Sequence, residues 1–158
     1  MEIWNQLSIA GPYLWCFTLS IVSALVPWVN GEIILLSLTA LAHSPWARLM
    51  LVLSASAGQM AGKCVLYWAG KGVIPLRSGR MKETISTWKG RFEQSPSKLL
   101  SLVFVSSAVG IPPFYVITLL AGAFRVRFGP FFTVGAAGRL ARFGALAFLP
   151  WIMLHWIR

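Results

Sequence analysis

The apolar residues of this chain fall into long and short runs, and the short runs constrain the fold most. The long runs, residues 46–68 and 131–156, can each cross a bilayer, which takes about 20 apolar residues in a helix. The short runs cover residues 12–28, 33–41, 99–109 and 114–124. They form two pairs, and within each pair a Pro/Gly-rich break separates the first run from the second. Each run of the second pair would rise only about 17 Å as a helix, against about 30 Å of hydrocarbon. Paired half-length helices predict hairpins that enter and leave the membrane on one side.

The same order of features occurs twice. Pro27 and Pro45 are 18 residues apart, as are Pro112 and Pro130, and 85 residues separate the two pairs. Each pair brackets a short apolar run and precedes a long one. Interrupted hydrophobic segments in corresponding positions of two halves are typical of transporter repeats, whose site lies where the broken helices meet. The prediction is an all-α integral membrane protein, a helical bundle with two re-entrant hairpins related by an internal repeat.

Composition supports a single transmembrane domain over residues 1–158. Hydrophobic residues are 57% of the chain and charged residues 11%, with a mean hydropathy of +0.71, far from a soluble domain. The repeat halves are placed at about 12–69 and 97–156, with a basic loop at about 70–98 between them.

The net charge of +10 is concentrated in loops, where it reports topology and contact with anionic lipid, so we expect no nucleic-acid partner. Loop 70–98 carries seven basic residues against Glu83 and Glu93, which predicts a cytoplasmic loop of a multi-pass protein in a bacterial inner membrane. Within it, residues 84–92 fit either a short amphipathic surface helix or a solvated loop. His43 and His155 lie far apart, so neither a metal site nor a cofactor is expected.

Glu32 is the one carboxylate placed among apolar runs, directly after the Pro27–Gly31 break. An acid at bilayer depth costs a few kcal/mol, so it usually faces a cavity, a cation or a proton pathway. The alternative is that Glu32 lies at the interface and caps the following helix, since carboxylates favour helix N-termini.

Small and basic residues mark the two long helices. Gly58 and Gly62 form a stripe on the first, which predicts close helix packing, with Gln59 and Lys63 on or beside it. Lys63 is expected to snorkel to the interface. Arg139 and Arg142 share one face of the last helix, where guanidiniums either bind the phosphate of a lipid head group or snorkel.

These residues together resemble the DedA family, the VTT or SNARE-associated domain, over roughly residues 25–148. The resemblance is carried by Glu32 after its break, Gly58 and Gly62 with Tyr67 and Gly70, Pro112 with the half-helix ending in Leu120–Ala123, and Phe131 to Gly138 with Arg142. It implies re-entrant hairpins meeting at mid-membrane, and flipping of phospholipids or undecaprenyl phosphate coupled to protons or sodium. Glu32 matches the family's membrane-embedded acid.

The chain departs from that pattern in two places, which makes it similar to the divergent YqaA-like branch. The usual acid after the glycine stripe is replaced by Gln59 or Lys63, and the usual arginines around the second hairpin's proline by Val109 and Tyr115. Arg139 and Arg142 are then the candidates to supply the phosphate-binding charge.

The expected function is a transporter or flippase for an anionic membrane lipid. Glu32 is expected to couple transport to H⁺ or Na⁺, Arg139 and Arg142 to bind the head group, and Gly58, Gly62, Gln59, Pro112, Pro113 and Tyr115 to shape the packing and the cavity. The alternative is a non-transporting membrane scaffold or envelope-maintenance protein in which Glu32 and an arginine fix packing. No catalytic residues are expected, because no enzyme motif and no buried carboxylate pair is present.

Overall fold

The described part of the computed structural model comprises residues 2–26, 28–42, 44–72, 83 and 96–156. Within it the chain forms six α-helices and no strand, which confirms the all-α prediction. In chain order they are α1 (Glu2–Leu25), α2 (Gly31–Ala40), α3 (Pro45–Gly70), α4 (Pro96–Val109), α5 (Phe114–Ala123) and α6 (Phe128–Trp156).

Two of the six described helices have the length and hydropathy to cross a membrane, as predicted. They are residues Pro45–Gly70, which form α3, and Phe128–Pro150 of α6. α3 begins sharply because the Ser44 hydroxyl accepts a hydrogen bond from the Ala47 N–H at 3.1 Å and Pro45 occupies the first helical turn. The shorter apolar helices include α2 and α5, with ten residues each.

The first helix differs from its sequence-based boundary. The prediction began an apolar run at Pro12, whereas α1 begins at Glu2 and carries Pro12 inside it. A proline interrupts one backbone hydrogen bond but need not end a helix where the freed carbonyl finds another partner. The apolar part, Gly11–Leu25, matches the predicted run.

The two long helices organise the packing of the bundle. α1 and α5 pack on α3, and α6 packs on both α3 and α4. Glycines permit the closest approaches: Gly58 faces the Phe17 carbonyl of α1, and a Cβ at Gly62 would lie 2.5 Å from that of Ala24. The predicted close packing of the Gly58 and Gly62 stripe is therefore present, with α1 as its partner.

Two apolar clusters lie at opposite ends of this packing. One gathers buried residues of α3 to α6, among them Tyr67, Leu99, Leu120 and Phe131. The other gathers residues of α1, α2, α3 and α6, among them Cys16, Leu35, Leu51 and Phe143. Between the clusters lie the two interhelical breaks, described at residues 28–30 and 110–113.

The second break has a distinctive backbone. Gly110 has φ of +89°, a left-handed conformation that favours glycine, and the Ile111–Pro112 peptide is cis. The Ser106 hydroxyl donates to the Pro112 carbonyl oxygen at 2.5 Å, tying the break back to α4.

Several predictions fall on residues outside the described part. They concern Pro27 of the first break, the histidines' side chains, most of loop 70–98, and the proposed amphipathic helix at residues 84–92.

Candidate functional site

A polar cavity of about 590 Å³ lies where the two breaks meet. Its volume falls within the roughly 300–1,000 Å³ of small-molecule sites. Every helix except α4 contributes to its wall. The lining residues are Ser23, Ala24, Trp28, Val29, Asn30, Gly31, Glu32, Gln59, Lys63, Pro113, Phe114, Tyr115, Arg139 and Phe143.

Glu32 reaches this cavity from the first turn of α2. The helix is capped by Asn30, whose side-chain oxygen accepts a hydrogen bond from the Glu32 N–H at 2.9 Å. The capping role considered for Glu32 thus belongs to Asn30. The Glu32 side chain is 30% exposed and points to another helix.

The partner of Glu32 is Arg142 of α6. The Arg142 Nε donates to Glu32 Oε1 at 2.7 Å, and its Nη2 forms a salt bridge with the same oxygen. The Arg142 Nη1 also donates to the Ala108 carbonyl at 3.4 Å, near the end of α4. One guanidinium therefore joins α2, α4 and α6. A Cβ at Gly110 would lie 2.6 Å from Nη1, so this arrangement needs a glycine there.

Lys63 does not snorkel, so that expectation is wrong. Its side chain is only 4% exposed, and its ammonium donates to the Ala24 carbonyl near the end of α1 at 2.8 Å. A carbonyl in the last turn of a helix lacks an intrahelical partner and attracts positive charge, which explains why the lysine turns inward. Its Nζ lies 5.7 Å from the centre of the Phe114 ring.

Arg139 is also buried, with 9% of its surface exposed. Its guanidinium carbon lies 5.1 Å from the centre of the Phe114 ring and 5.6 Å from that of Phe143. Aromatic faces attract cations but supply no hydrogen-bond acceptor of carboxylate strength. The Arg139 Nε has no hydrogen-bond partner within the described residues.

The charges around the cavity do not balance. Lys63, Arg139 and Arg142 provide three cations, and Glu32 is their only carboxylate among the described residues at this site. Lys63 and Arg139 interact unfavourably with each other. An anion entering the cavity would relieve that repulsion.

Among the described residues, no group of three or more His, Cys, Asp or Glu could hold a metal ion.

The remaining predicted site residues separate into two groups. Gln59, Pro113 and Tyr115 line the cavity, and the Gln59 amide donates to the Ser23 hydroxyl at 2.6 Å. The others lie beside it: Gly58 and Gly62 contact α1, and Pro112 occupies the second break. Arg142 does not line the cavity but holds Glu32 at its edge.

Sequence reasoning missed the cavity roles of Lys63, Phe114 and Phe143, and the glycine required at position 110. A positive φ is suggested only weakly by a glycine before Ile-Pro-Pro. For Lys63 the useful signal was its spacing of four residues from Gln59, which puts both side chains on one helix face.

A family comparison identifies this architecture. The model of the VTT domain matches residues 26–151, which include both breaks, all of α3, α6 as far as residue 151, and every residue lining the cavity except Ser23 and Ala24. Searches of curated proteins and of solved structures found no significant match. The chain is therefore a helical membrane protein that belongs to the VTT domain family, the DedA/SNARE-associated family.

Proposed function

We propose that this protein is a flippase that moves the head group of an anionic lipid, a phospholipid or undecaprenyl phosphate, across a bacterial inner membrane. Glu32 couples the movement to H⁺ or Na⁺, and no catalytic chemistry is involved. The observation that carries the proposal is the cavity itself. It holds more positive than negative charge among the described residues and lies at the end of α1 and at the starts of the two short helices α2 and α5.

The proposal includes re-entrant hairpins, and contacts at the ends of α4 and α5 support the second one. Leu99 at the start of α4 belongs to the same apolar cluster as Tyr67 near the end of α3. Gly122 near the end of α5 lies against the Tyr67 carbonyl. The segment from α4 to α5 starts and finishes near the C-terminal end of α3 and has its break at the cavity, as expected of a re-entrant hairpin.

Contacts of α1 and α2 support a matching dip from the opposite side. The Cys16 thiol of α1 donates to the Leu51 carbonyl near the start of α3 at 3.7 Å. Arg48, in the first turns of α3, donates to the Ala42 carbonyl just after α2 at 3.0 Å. These contacts support the proposal that the first hairpin enters from the N-terminal end of α3, opposite to the second, as in an inverted repeat.

The proposed orientation places the C-terminal end of α3 in the cytoplasm. Lys71 and Lys98 flank loop 70–98, and Arg125 and Arg127 lie in the turn between α5 and α6. All four are exposed, and positive charge in exposed loops is typical of the cytoplasmic side.

The assignment to the YqaA-like branch is part of this proposal. It depends on the substitutions at residues 59, 63, 109 and 115.

The test is movement of a fluorescent anionic phospholipid between the leaflets of proteoliposomes. Wild type should expose the inner-leaflet lipid to a quencher that cannot cross the membrane. Glu32→Gln should lose ion-dependent movement while the purified protein stays folded. The matched control is Glu83→Gln, which removes a carboxylate at an exposed position in the loop. Equal rates in empty liposomes and in wild type would contradict the proposal.

A second candidate function is a non-transporting scaffold, and the Glu32–Arg142 pair favours it. This pair ties α2 to α6 and, through the Ala108 carbonyl, to α4. If stability is its purpose, Glu32→Ala and Arg142→Ala should each lower the melting temperature, while lipid movement by the remaining folded protein is unchanged. Loss of lipid movement by the Glu32→Ala protein that remains folded would exclude the scaffold function.

A further inference from the structure

The two short helices that begin at the cavity have different N-termini. The positive N-terminal end of α2 is compensated by nearby side chains, because Asn30 caps the first turn and Glu32 adds a carboxylate there. α5 begins after Pro113, which has no polar side chain, and its first turn has neither a side-chain cap nor an acid. The first N–H groups of a helix have no intrahelical acceptor. In α5 the Val116 N–H turns back to the Pro113 carbonyl at 3.0 Å, whereas the Phe114 and Tyr115 N–H groups have no acceptor among the described residues.

The uncapped end of α5 forms part of the cavity wall. Pro113, Phe114 and Tyr115, the residues at which α5 begins, all line the cavity. α5 has ten residues, long enough to have a positive N-terminal pole. Helix N-termini of this kind bind phosphate and carboxylate groups through backbone N–H donors.

Arg139 provides an independent indication of a ligand at the same place. Its guanidinium packs over the Phe114 ring, is nine-tenths buried, and keeps an Nε donor without an acceptor among the described residues. A buried donor left unpaired is energetically costly, so such groups usually have a partner that is a ligand, an ion or water. Lys63 lies on the same ring and uses one of its three donors on Ala24.

We infer that the N-terminus of α5, the Arg139 guanidinium and the Lys63 ammonium together form an oxyanion site that binds a phosphate group. Arg142 lies outside this site because Glu32 and the Ala108 carbonyl already occupy its donors. The inference rests on the proposed function in one respect, that the phosphate belongs to a lipid. It assigns head-group binding to Arg139 alone, where the sequence had suggested both Arg139 and Arg142. Tyr115 stands where the family resemblance implies an arginine, so the charge comes from α3 and α6 instead.

The experiment measures the melting temperature of the purified full chain with two probes. In detergent, inorganic phosphate is titrated against chloride at equal ionic strength. In nanodiscs, phosphatidylcholine membranes are compared with membranes that also contain phosphatidic acid. Stabilisation by both probes assigns the site to the phosphate group itself. Stabilisation by phosphatidic acid alone assigns it to a lipid head group.

Arg139→Gln is the first variant, with Arg127→Gln as the control that removes an exposed arginine outside the cavity. We expect the concentration of probe that gives half of the stabilisation to rise about tenfold or more in Arg139→Gln, as loss of a charge-assisted hydrogen bond predicts. Arg127→Gln should behave as wild type. No stabilisation of wild type by either probe would overturn the inference, as would equal responses of the two variants.

A second pair of variants tests the backbone donor and keeps the test valid if Arg139→Gln does not fold. Tyr115→Ala removes the side chain and keeps the N–H, whereas Tyr115→Pro also removes the N–H in the first helical turn, where proline is tolerated. Tyr115→Pro should weaken the response to the probe more than Tyr115→Ala does, because only the proline variant lacks the N–H donor. Equal responses of the two would show that the α5 N-terminus does not bind it.

Failure of this inference is distinguishable from failure of the proposed function. If phosphate binding needs Arg139 but the protein moves no lipid, the flippase proposal is wrong and the phosphate site is retained. If lipid movement depends on Glu32 but not on Arg139, the phosphate site is wrong and the flippase proposal is retained.

Discussion

Glu32 and Arg142 lie 110 residues apart in sequence and form the one described ion pair that joins the two halves of the chain. Both side chains are mostly buried, so their attraction is screened less than that of a surface pair. Removing one partner leaves a charge at membrane depth without compensation, which costs more than the net contribution of the pair.

The pair should therefore show strong coupling. Glu32→Gln and Arg142→Gln are each expected to lower the free energy of unfolding by about 1–3 kcal/mol. The double variant should cost less than the sum of the two, because neither charge then remains unpaired. Titration of the purified variants with a denaturing detergent measures this, with Arg127→Gln as the exposed control. Additive losses would show that the two side chains do not interact in the folded protein.

At the level of helices, small residues decide how closely the elements pack. α3 contacts α1 through Gly58 and Gly62, and α6 contacts α4 through Gly138, which faces the Ser107 hydroxyl and the Phe104 carbonyl. Backbone atoms oppose Gly58, so an added methyl group must move a helix and not merely a side chain. Gly144 in α6 has open space where its Cβ would be.

This contrast gives a matched pair of substitutions. Gly58→Ala should destabilise the protein by about 1–3 kcal/mol, as overpacking does. Gly144→Ala should be neutral, or stabilising by up to about 1 kcal/mol, because alanine favours the helical backbone. Melting temperatures of both variants in the same detergent provide the measurement. A stable Gly58→Ala protein would mean that α1 and α3 are further apart than the structure has them.

At the scale of the whole molecule, the proposed dips determine which polar segments share a side of the membrane. If α4 and α5 form a re-entrant hairpin, the turn at residues 124–127 lies on the same side as Lys71. If residues 96–123 crossed the membrane completely, that turn would lie on the opposite side. The segment after α2 lies at the other end of α3 in either case.

Cysteine labelling separates these topologies. In a background with Cys16→Ala and Cys64→Ala, Lys71→Cys and Arg127→Cys should react with an impermeant maleimide from the same side of oriented vesicles. Leu41→Cys, at a position that is 72% exposed, should react from the opposite side. All three positions lie outside the helices that pack around the cavity, so folding should be retained. Labelling of Arg127→Cys from the Leu41 side would contradict the second hairpin.

The sequence by itself determined the helical class, the two spanning helices and the short helices at the breaks. Run lengths, prolines and the Ser44 cap are local properties, and they set helix boundaries without reference to distant residues. The exception is α1, which begins at Glu2 and continues through Pro12, where the proline had predicted the start of the run. The family resemblance was also readable, because it depends on the order and spacing of residues.

Only the tertiary structure decided how the buried charges are paired. Sequence gives a charged residue's depth along its helix but not which helix packs against it. For that reason it left open whether Arg139 and Arg142 bind a ligand or snorkel, and it misassigned Lys63. The fold pairs Arg142 with Glu32, turns Lys63 onto the end of α1, and leaves Arg139 beside an uncapped helix. These differences arise from contacts between residues far apart in the chain, which no local pattern encodes.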